Sequence, residues 1–265
     1  MTVPGGALLA NAAITLAVTL VVVCGVFAVA ARRRRFDLID SAWGAGFAVV
    51  ALVTYALSTG RGDPLVRALA TGLTVVWGAR LAAHIHTRNR GRDEDRRYAE
   101  IADRAGTHVR RYMFTRVYLM QAALLWFISL PIQFAQYGTA GAGWPVWVGV
   151  ALWAVGFAFE AVGDRQLRSF RADPATAGRV LDTGLWRYTR HPNYFGDACV
   201  WWGLYAIACH GWWGAATVLS PVVMMLLLVR GTGKALLEKD IRDRRPAYAD
   251  YVDRTSGFFP LPPRR

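Results

Sequence analysis

Residues 184–197 carry the densest set of chemically capable side chains in this sequence; they read GLWRYTRHPNYFGD. Arginine and histidine bind anions, tyrosine and tryptophan rings stack, and asparagine and aspartate exchange hydrogen bonds. The apolar run 198–208 follows directly. Packing alone does not account for this chemistry at the end of an apolar run. The stretch therefore predicts a ligand site.

A second set of polar residues runs off the end of an earlier apolar run. Four of them share one side of a helix: Glu160, Asp164, Arg168 and Arg171. Such acids suit a ribose, and guanidinium forks bind phosphate bidentately. The alternative is an exposed helix stabilised by acid–arginine pairs four residues apart. Because the sequence has neither GxGxxG after a strand nor GxxxxGK[ST], a nucleotide would have to be held by helix ends and loops.

Ionisable residues also fall within or at the ends of apolar runs: Arg80, His84, His86, Glu160 and Asp197. Such residues are costly inside a bilayer and commonly mark functional sites, so they indicate a polar cavity open to the cytoplasm. The alternative is snorkelling towards the headgroups. His84 and His86 lack cysteine or carboxylate neighbours at metal-binding spacing, so no metal site is expected.

Asp40 opens the second apolar run and allows two interpretations. With Ser41 it can cap a helix, which is the ordinary role of such a residue. Alternatively it faces the cavity, where burial would raise its pKa and make it a proton donor. His84 and His86 are the other candidate catalytic groups.

These residues need helices to position them, and the composition predicts membrane helices. Of the 265 residues 54% are hydrophobic and 18% are charged, whereas a soluble protein carries about a quarter charged residues. Seven runs are long and apolar enough for spans: 7–31, 41–59, 65–86, 117–136, 145–163, 195–210 and 212–229. The fold class is therefore an all-α, polytopic integral membrane protein with seven transmembrane helices.

The basic residues set the orientation. All but three of the 31 Lys and Arg residues fall in segments 32–35, 88–116, 165–190 and 230–265, which alternate with the spans. The positive-inside rule places these segments in the cytoplasm and the N-terminus outside. The net charge of +13 thus needs no nucleic acid, since the same segments carry most of the acids. We expect one membrane domain over 1–265, with cavity helices in 1–140 and a cofactor region in 141–265.

Three motifs together resemble the C-terminal domain of the steroid 5α-reductase superfamily, including its bacterial relatives. They are ExxxDxxxR from Glu160, GLWRYxRHPNYFGDxxxWWG from Gly184, and RPxYxxYxxxTSxFFP from Arg245. The resemblance covers about 150–262. It implies cytoplasmic NADPH, a lipid or steroid-like substrate in the membrane, reduction of a carbon–carbon double bond, and a bacterial inner-membrane location. The predicted cofactor-binding residues are Asp164, Arg168, Arg171, Arg179, Tyr188, Arg190, His191, Asn193, Tyr194, Asp197, Arg230, Lys234 and Glu238.

Two features test this resemblance. The steroid enzymes hold the substrate carbonyl with a glutamate on an early helix, where Asp40 stands, and a tyrosine on the following helix. Here the third run has His84-Ile85-His86 instead, so no tyrosine partner is expected there. The RHPxYxG core is also similar to isoprenylcysteine carboxyl methyltransferases and phospholipid methyltransferases, which bind S-adenosylmethionine. Those usually have two adjacent glutamates after the last helix, whereas Glu238 is followed by Lys239.

Overall fold

The computed structural model describes residues 5–230 and 248–264, in which all regular structure is helical. The longest helices are α1 Gly5–Arg33, α2 Leu38–Leu57, α3 Pro64–Asn89, α8 Trp144–Ala172, α9 Pro192–Ala208 and α10 Leu219–Arg230. Within the described ranges, six helical segments are long and apolar enough to cross a membrane. The described part of the chain therefore has the all-helical architecture of a polytopic membrane protein. The sixth predicted run became α9, whose 17 residues make it shorter than those six, and the count of seven spans stays a prediction.

The predicted run 117–136 is only the end of a longer, interrupted helical segment, Arg96–Ala135. Its helices are α4 Arg96–Ala105, α5 Val109–Tyr112, α6 Leu119–Ile128 and α7 Leu130–Ala135, with a π-helical stretch Met113–Tyr118 before α6. Much of the expected loop 88–116 is thus helical. The physical reason is local: Tyr98, Ile101 and Ala102 recur at helical spacing, although charged residues surround them. Gly106, with a φ of 56°, then ends α4.

Contacts divide the chain into two compact units. The first comprises the residues up to Val146 together with Ile207–Ser220. The second comprises Trp147–Ala206 and the residues from Pro221 onwards. Each unit is described by itself below.

A tight α2–α3 hairpin forms the centre of the first unit. A Cβ atom on Gly44 would lie 2.3 Å from the carbonyl oxygen of Gly78, and a Cβ atom on Gly78 would lie 2.3 Å from the carbonyl oxygen of Gly44. Glycine at both positions lets the two backbones touch. Phe47 and Trp77, both fully buried, pack across the hairpin with ring centroids 5.8 Å apart. This pairing fixes the position of the first turn of α2.

A buried polar seam attaches α1 to α7. Asn11 and Thr15 both donate to Oε1 of Gln133 at 3.0 Å, and Gln133 donates to Ser129 at 2.9 Å. In the bilayer such side chains must find internal partners, so they specify how α1 docks.

The connections at one end of the first unit also pack on each other. The Asp63 amide donates to the carbonyl of Gly138 at 2.9 Å. The ring nitrogens of His210 lie 2.5 Å and 3.0 Å from the carbonyl oxygens of Ala140 and Ala135. These contacts tie Ile207–Ser220 to the rest of the unit.

In the second unit α8 and α9 approach closely along a seven-residue repeat of glycine on α8. Gly149 faces Gly203, Gly156 faces Gly196, and Gly163 faces Pro192. A Cβ atom on Gly156 would lie 2.5 Å from the Gly196 carbonyl oxygen. The repeat therefore sets the register of the pair. That register brings the start of α9 beside the polar end of α8.

Candidate functional site

Each unit contains one polar cluster, and we call each cluster a half-site because it would carry one part of the predicted chemistry. The first half-site surrounds the carboxylate of Asp40, which two residues of α4 reach. Arg97 Nη2 donates to Asp40 Oδ2 at 2.9 Å, and the Tyr98 hydroxyl donates to Oδ1 at 2.5 Å. The capping interpretation of Asp40 is wrong, because the residue preceding α2 is Asp37 and the Asp40 oxygens are occupied by α4. A tyrosine does stand against Asp40, although it comes from α4 rather than from α3. The expectation concerned the third run, which contains no tyrosine, and it stands; the partner from α4 was not predicted.

The loop before α4 is pinned to the turn before α2, and this places Tyr98. Arg35 Nη1 donates to the carbonyl of Arg92 at 2.6 Å, and Glu94 accepts the backbone N–H of Phe36. Asp95 then caps α4 by accepting the amide of Arg97 at 3.0 Å. The first turn of α4 is thereby held over the first turn of α2.

The pKa values of the groups in this loop reflect how tightly it is folded. Burial raises the pKa of Glu94. Burial acts the same way on Asp95, but the hydrogen bonds from the side chain and backbone of Arg97 outweigh it and hold the Asp95 pKa below its ordinary value. The hydrogen bond to Asp37 raises the pKa of Arg35. The folded loop thus favours the charges of Arg35 and Asp95 and disfavours that of Glu94.

Tyr98 has a second neighbour, Gln121 of α6. Gln121 Nε2 donates to the Tyr98 oxygen at 3.4 Å, and Gln121 Oε1 accepts the indole N–H of Trp43 at 2.6 Å. Trp43 lies one turn beyond Asp40 on α2. The acid–tyrosine pair therefore belongs to a network that joins α2, α4 and α6.

A small apolar cavity begins at Ile39, the residue before Asp40. Side chains of α1, α2 and α6 line it, including Val22, Ala42, Gly46 and Leu125. Apolar walls of this kind suit a hydrocarbon rather than a charged ligand.

The histidines predicted as catalytic lie elsewhere on the first unit. His84 is half-buried on α3 and His86 is exposed. Among the described residues, neither hydrogen-bonds to Asp40, whose partners are Arg97 and Tyr98. Arg80 is half-buried on the same helix. A catalytic role for either histidine stays a prediction.

The second half-site is centred on Asp164 and Asn193, at the end of α8 and the start of α9. Asn193 Nδ2 donates to Asp164 Oδ1 at 3.2 Å, and Asp164 is buried. The arginines predicted to bind phosphate are all exposed: Arg168, Arg171 and Arg179. A buried carboxylate–amide pair near exposed guanidinium groups fits the ribose and phosphates of a dinucleotide.

The C-terminal residues fold onto the 184–197 stretch, and this changes the interpretation of Arg190. Arg190 is buried, and its Nη1 donates to the carbonyls of Val252 and Thr255, near the end of α11 Tyr248–Arg254, at 3.0 Å and 2.6 Å. A guanidinium at a helix C-terminus satisfies carbonyls that the helix leaves unpaired. The geometry favours a structural role for Arg190 over a phosphate contact.

The remaining predicted cofactor residues are placed as follows. The His191 ring is buried and stacks on Tyr194 with centroids 5.4 Å apart and an interplanar angle of 3°. Tyr188 is exposed, and its carbonyl accepts the Leu261 amide at 3.0 Å. Asp197 is half-buried on α9 and Arg230 is exposed at the end of α10. Lys234 and Glu238 lie outside the described residues.

Reasoning from the sequence missed four residues of the first half-site: Trp43, Arg97, Tyr98 and Gln121. The available signal was the run DRRYAEIA from Asp95, in which a helix cap precedes an amphipathic turn. This helix signal is easily overlooked, because the many charged residues of segment 88–116 predict a cytoplasmic loop.

Comparisons with known proteins find partial matches. An uncharacterised protein of Schizosaccharomyces pombe is 24% identical over 217 residues, which is 71% of this chain and 61% of that protein. The protein named 3-oxo-5-alpha-steroid 4-dehydrogenase 1 is 31% identical in mouse and 32% identical in rat. Those matches cover 40% and 37% of this chain, and 42% and 37% of the relatives. The chain thus spans less than two thirds of the length of these relatives, and no solved structure matches it significantly.

A broader match runs through both half-sites. Residues 26–255 fit the family described as "Protein of unknown function (DUF1295)", a range that includes Asp40 and Tyr98 as well as Asp164 and Asn193. Since this range covers most of the chain, the protein belongs to the DUF1295 family.

Proposed function

We propose that this protein is a membrane reductase that uses NADPH to reduce a carbon–carbon double bond conjugated to a carbonyl in a lipid or steroid-like substrate. The observation that carries the proposal is the Tyr98 hydroxyl 2.5 Å from the Asp40 carboxylate. An acid and a tyrosine are the groups with which the resembling steroid enzymes hold a substrate carbonyl. The names of the mouse and rat relatives support the same class of reaction.

The chemistry assigned to this half-site is stabilisation of charge on the substrate oxygen. NADPH, when bound, supplies the hydride that adds to the β-carbon. The π electrons of the substrate then move onto its oxygen, and Tyr98 stabilises the charge that develops there by turning its single O–H from Asp40 to that oxygen. A proton from water adds at the α-carbon, so that the net change is the addition of two hydrogens.

The second half-site supports NADPH over S-adenosylmethionine. The unit that contains the Asp164–Asn193 pair also carries three exposed arginines, Arg168, Arg171 and Arg179. Arginine is the side chain that best binds the 2′-phosphate of NADPH. S-Adenosylmethionine carries no phosphate. The arginine set therefore distinguishes the two cofactors chemically.

Equilibrium binding of both cofactors to the purified protein in detergent tests the proposal. We expect NADPH to bind, and Arg171→Ala to weaken it about tenfold, as expected for the loss of a charge-assisted hydrogen bond. Arg110→Ala removes an exposed arginine from the first unit and is the matched control. Tight binding of S-adenosylmethionine without affinity for NADPH would instead identify a methyltransferase.

The role of Tyr98 is tested separately from cofactor binding. Tyr98→Phe should leave NADPH binding unchanged and lower reduction of a 3-oxo-4-ene steroid probe by roughly 10²-fold, the typical cost of losing one oxyanion donor. Tyr112→Phe, at an exposed tyrosine of α5, should have no effect.

A further inference from the structure

The hydrogen bonds around Tyr98 have a fixed direction, and Trp43 sets it. An indole N–H can only donate. The group that lies 2.6 Å from Trp43 Nε1 must therefore be the oxygen of the Gln121 amide. With the amide reversed, two N–H donors would face each other at that distance. The orientation of Gln121 thus follows from its neighbour and not from an arbitrary assignment.

The orientation of Gln121 in turn decides where the proton of Tyr98 points. Gln121 presents its NH₂ group to the Tyr98 oxygen at 3.4 Å, a long contact in which the tyrosine is the acceptor. Tyr98 is buried, with 5% of its surface exposed. Among the described residues, Asp40 Oδ1 is the acceptor within reach of the hydroxyl, at 2.5 Å. The tyrosine proton is consequently directed at Asp40.

The second oxygen of Asp40 is occupied by a donor as well. Arg97 Nη2 lies 2.9 Å from Asp40 Oδ2, and the same guanidinium is held by Asp95 through Nε and Nη2 at 3.0 Å each. A carboxyl group that accepts hydrogen bonds on both oxygens, one from a cation, is ionised. This contact geometry favours an ionised Asp40 over the protonated acid that burial alone would predict, and the test below decides between them.

We propose that Trp43, acting through Gln121, is a positioning residue that makes Tyr98 the hydrogen-bond donor of this half-site, with Asp40 as its ionised acceptor. The inference rests on the proposed reductase function for its consequence in catalysis. Its structural content, the direction of the hydrogen bonds, is independent of that function. The Trp43 indole N–H donates to Gln121 and to neither the acid nor the tyrosine, so we expect its effect to pass through the amide.

Infrared difference spectroscopy of the purified protein tests the direction without any substrate. The spectra of the wild type and Asp40→Asn are compared in the region of the protonated-carboxyl carbonyl stretch. We expect no such band to disappear, since Asp40 is ionised. Loss of a protonated-carboxyl band in Asp40→Asn would show that Asp40 is the donor and would overturn the proposal.

Kinetics then test whether Trp43 acts by positioning. Trp43→Phe keeps an aromatic ring against Phe47, whose centroid lies 5.7 Å away, but removes the indole N–H. The Gln121 amide is then free to turn its oxygen towards Tyr98 and hold the hydroxyl proton, which then reaches neither Asp40 nor the substrate oxygen. We expect kcat for NADPH-dependent reduction of the 3-oxo-4-ene steroid probe to fall about tenfold, the loss of one hydrogen bond, with KM little changed. Trp144→Phe, at a surface tryptophan, is the control.

Gln121→Glu gives a second test, because it keeps the hydrogen bond from Trp43 and removes the one to Tyr98. A carboxylate still accepts from Trp43 but cannot donate to Tyr98, so the hydroxyl should turn towards it and kcat should fall as in Trp43→Phe. Wild-type kcat in both variants would refute the positioning role. If the wild type reduces no probe at all, the reductase proposal fails on that probe, while the infrared result still decides the direction of the hydrogen bonds.

Discussion

At the scale of single residues, Asp95 has two functions in one carboxylate. It accepts the Arg97 amide and thereby caps α4, and it binds the Arg97 side chain that also holds Asp40. Stability of the loop and orientation of the half-site therefore depend on the same charge. Because the Asp95 pKa lies below its ordinary value in the folded protein, ionisation of this group favours folding.

This sets a pH dependence for Asp95→Asn. The contribution of Asp95 is fully present above the ordinary aspartate pKa and disappears as the pH falls through the lower folded value. We expect the variant to lose about 1 kcal/mol near neutral pH, a value reduced by partial exposure, and to converge with the wild type in acid. Thermal unfolding at a series of pH values measures it. Asp93→Asn, at an exposed loop position, should show no such convergence, and a pH-independent deficit for Asp95→Asn would contradict the assignment.

How much could be predicted differs between the two clusters, each of which lies in its own unit. The sequence motifs named both Asp164 and Asn193, and the structure pairs their side chains, whereas their role towards a cofactor stays a prediction. The Asp40–Tyr98 contact was not predicted, because it joins residues 58 positions apart through a loop whose fold depends on tertiary partners. Arg190 is a second example. The sequence suggests that it binds phosphate, whereas in the fold its guanidinium donates to carbonyl groups near the end of α11.

At the scale of elements, the seven-residue glycine repeat on α8 has a structural purpose that composition does not reveal. Membrane helices gain little from burying apolar side chains against each other, so close backbone contact contributes much of their packing. The positions facing Gly149, Gly156 and Gly163 on α9 are a glycine, a glycine and a proline. The start of α9, which carries Asn193, is therefore positioned by the packing of α8 against α9 along these three contacts as well as by its own polar contacts.

Gly156→Ala tests the importance of this approach. The new methyl group would lie 2.5 Å from the Gly196 carbonyl oxygen and 2.7 Å from the Val200 amide nitrogen, so the helices must separate. We expect a loss of about 1–3 kcal/mol, seen as a lower melting temperature, with weaker NADPH binding. Gly72→Ala, in α3, meets no atom within 4 Å and should leave both unchanged or slightly raise stability. Equal melting temperatures for the two variants would contradict the close packing.

A helix could be predicted from the sequence wherever a long apolar run alone identifies it. The runs 7–31, 41–59 and 65–86 correspond to α1, α2 and α3 with ends that shift by a few residues. The segment before residue 117 was not predictable in this way, since α4 is amphipathic and its apolar side is covered by Phe36, Ile39 and their neighbours. Hydropathy detects spans, whereas a helix that lies against other protein needs its partners to be recognised.

At the scale of the whole molecule, the distribution of basic residues predicts which connections share a side of the membrane. Segments 88–116 and 165–190 should be cytoplasmic, and the Gly60–Pro64 turn should be outside. Arg61→Cys and Ala175→Cys, each in a background without Cys24, Cys199 and Cys209, provide the test. We expect a membrane-impermeant thiol reagent applied to intact cells to label position 61 and to spare position 175. Labelling of both positions would refute the orientation.

The first unit is assembled from two separate parts of the chain, and this has a consequence for the order of synthesis. Ile207–Ser220, which carries His210 to the carbonyls of Ala135 and Ala140, leaves the ribosome only after Trp147–Ala206 has been made. The helices α1–α7 must therefore wait in the translocation machinery or the bilayer with one end open while α8 and α9 are inserted. A gene divided after residue 146 would separate the sequence at a unit boundary and still leave the first unit without the piece that closes it.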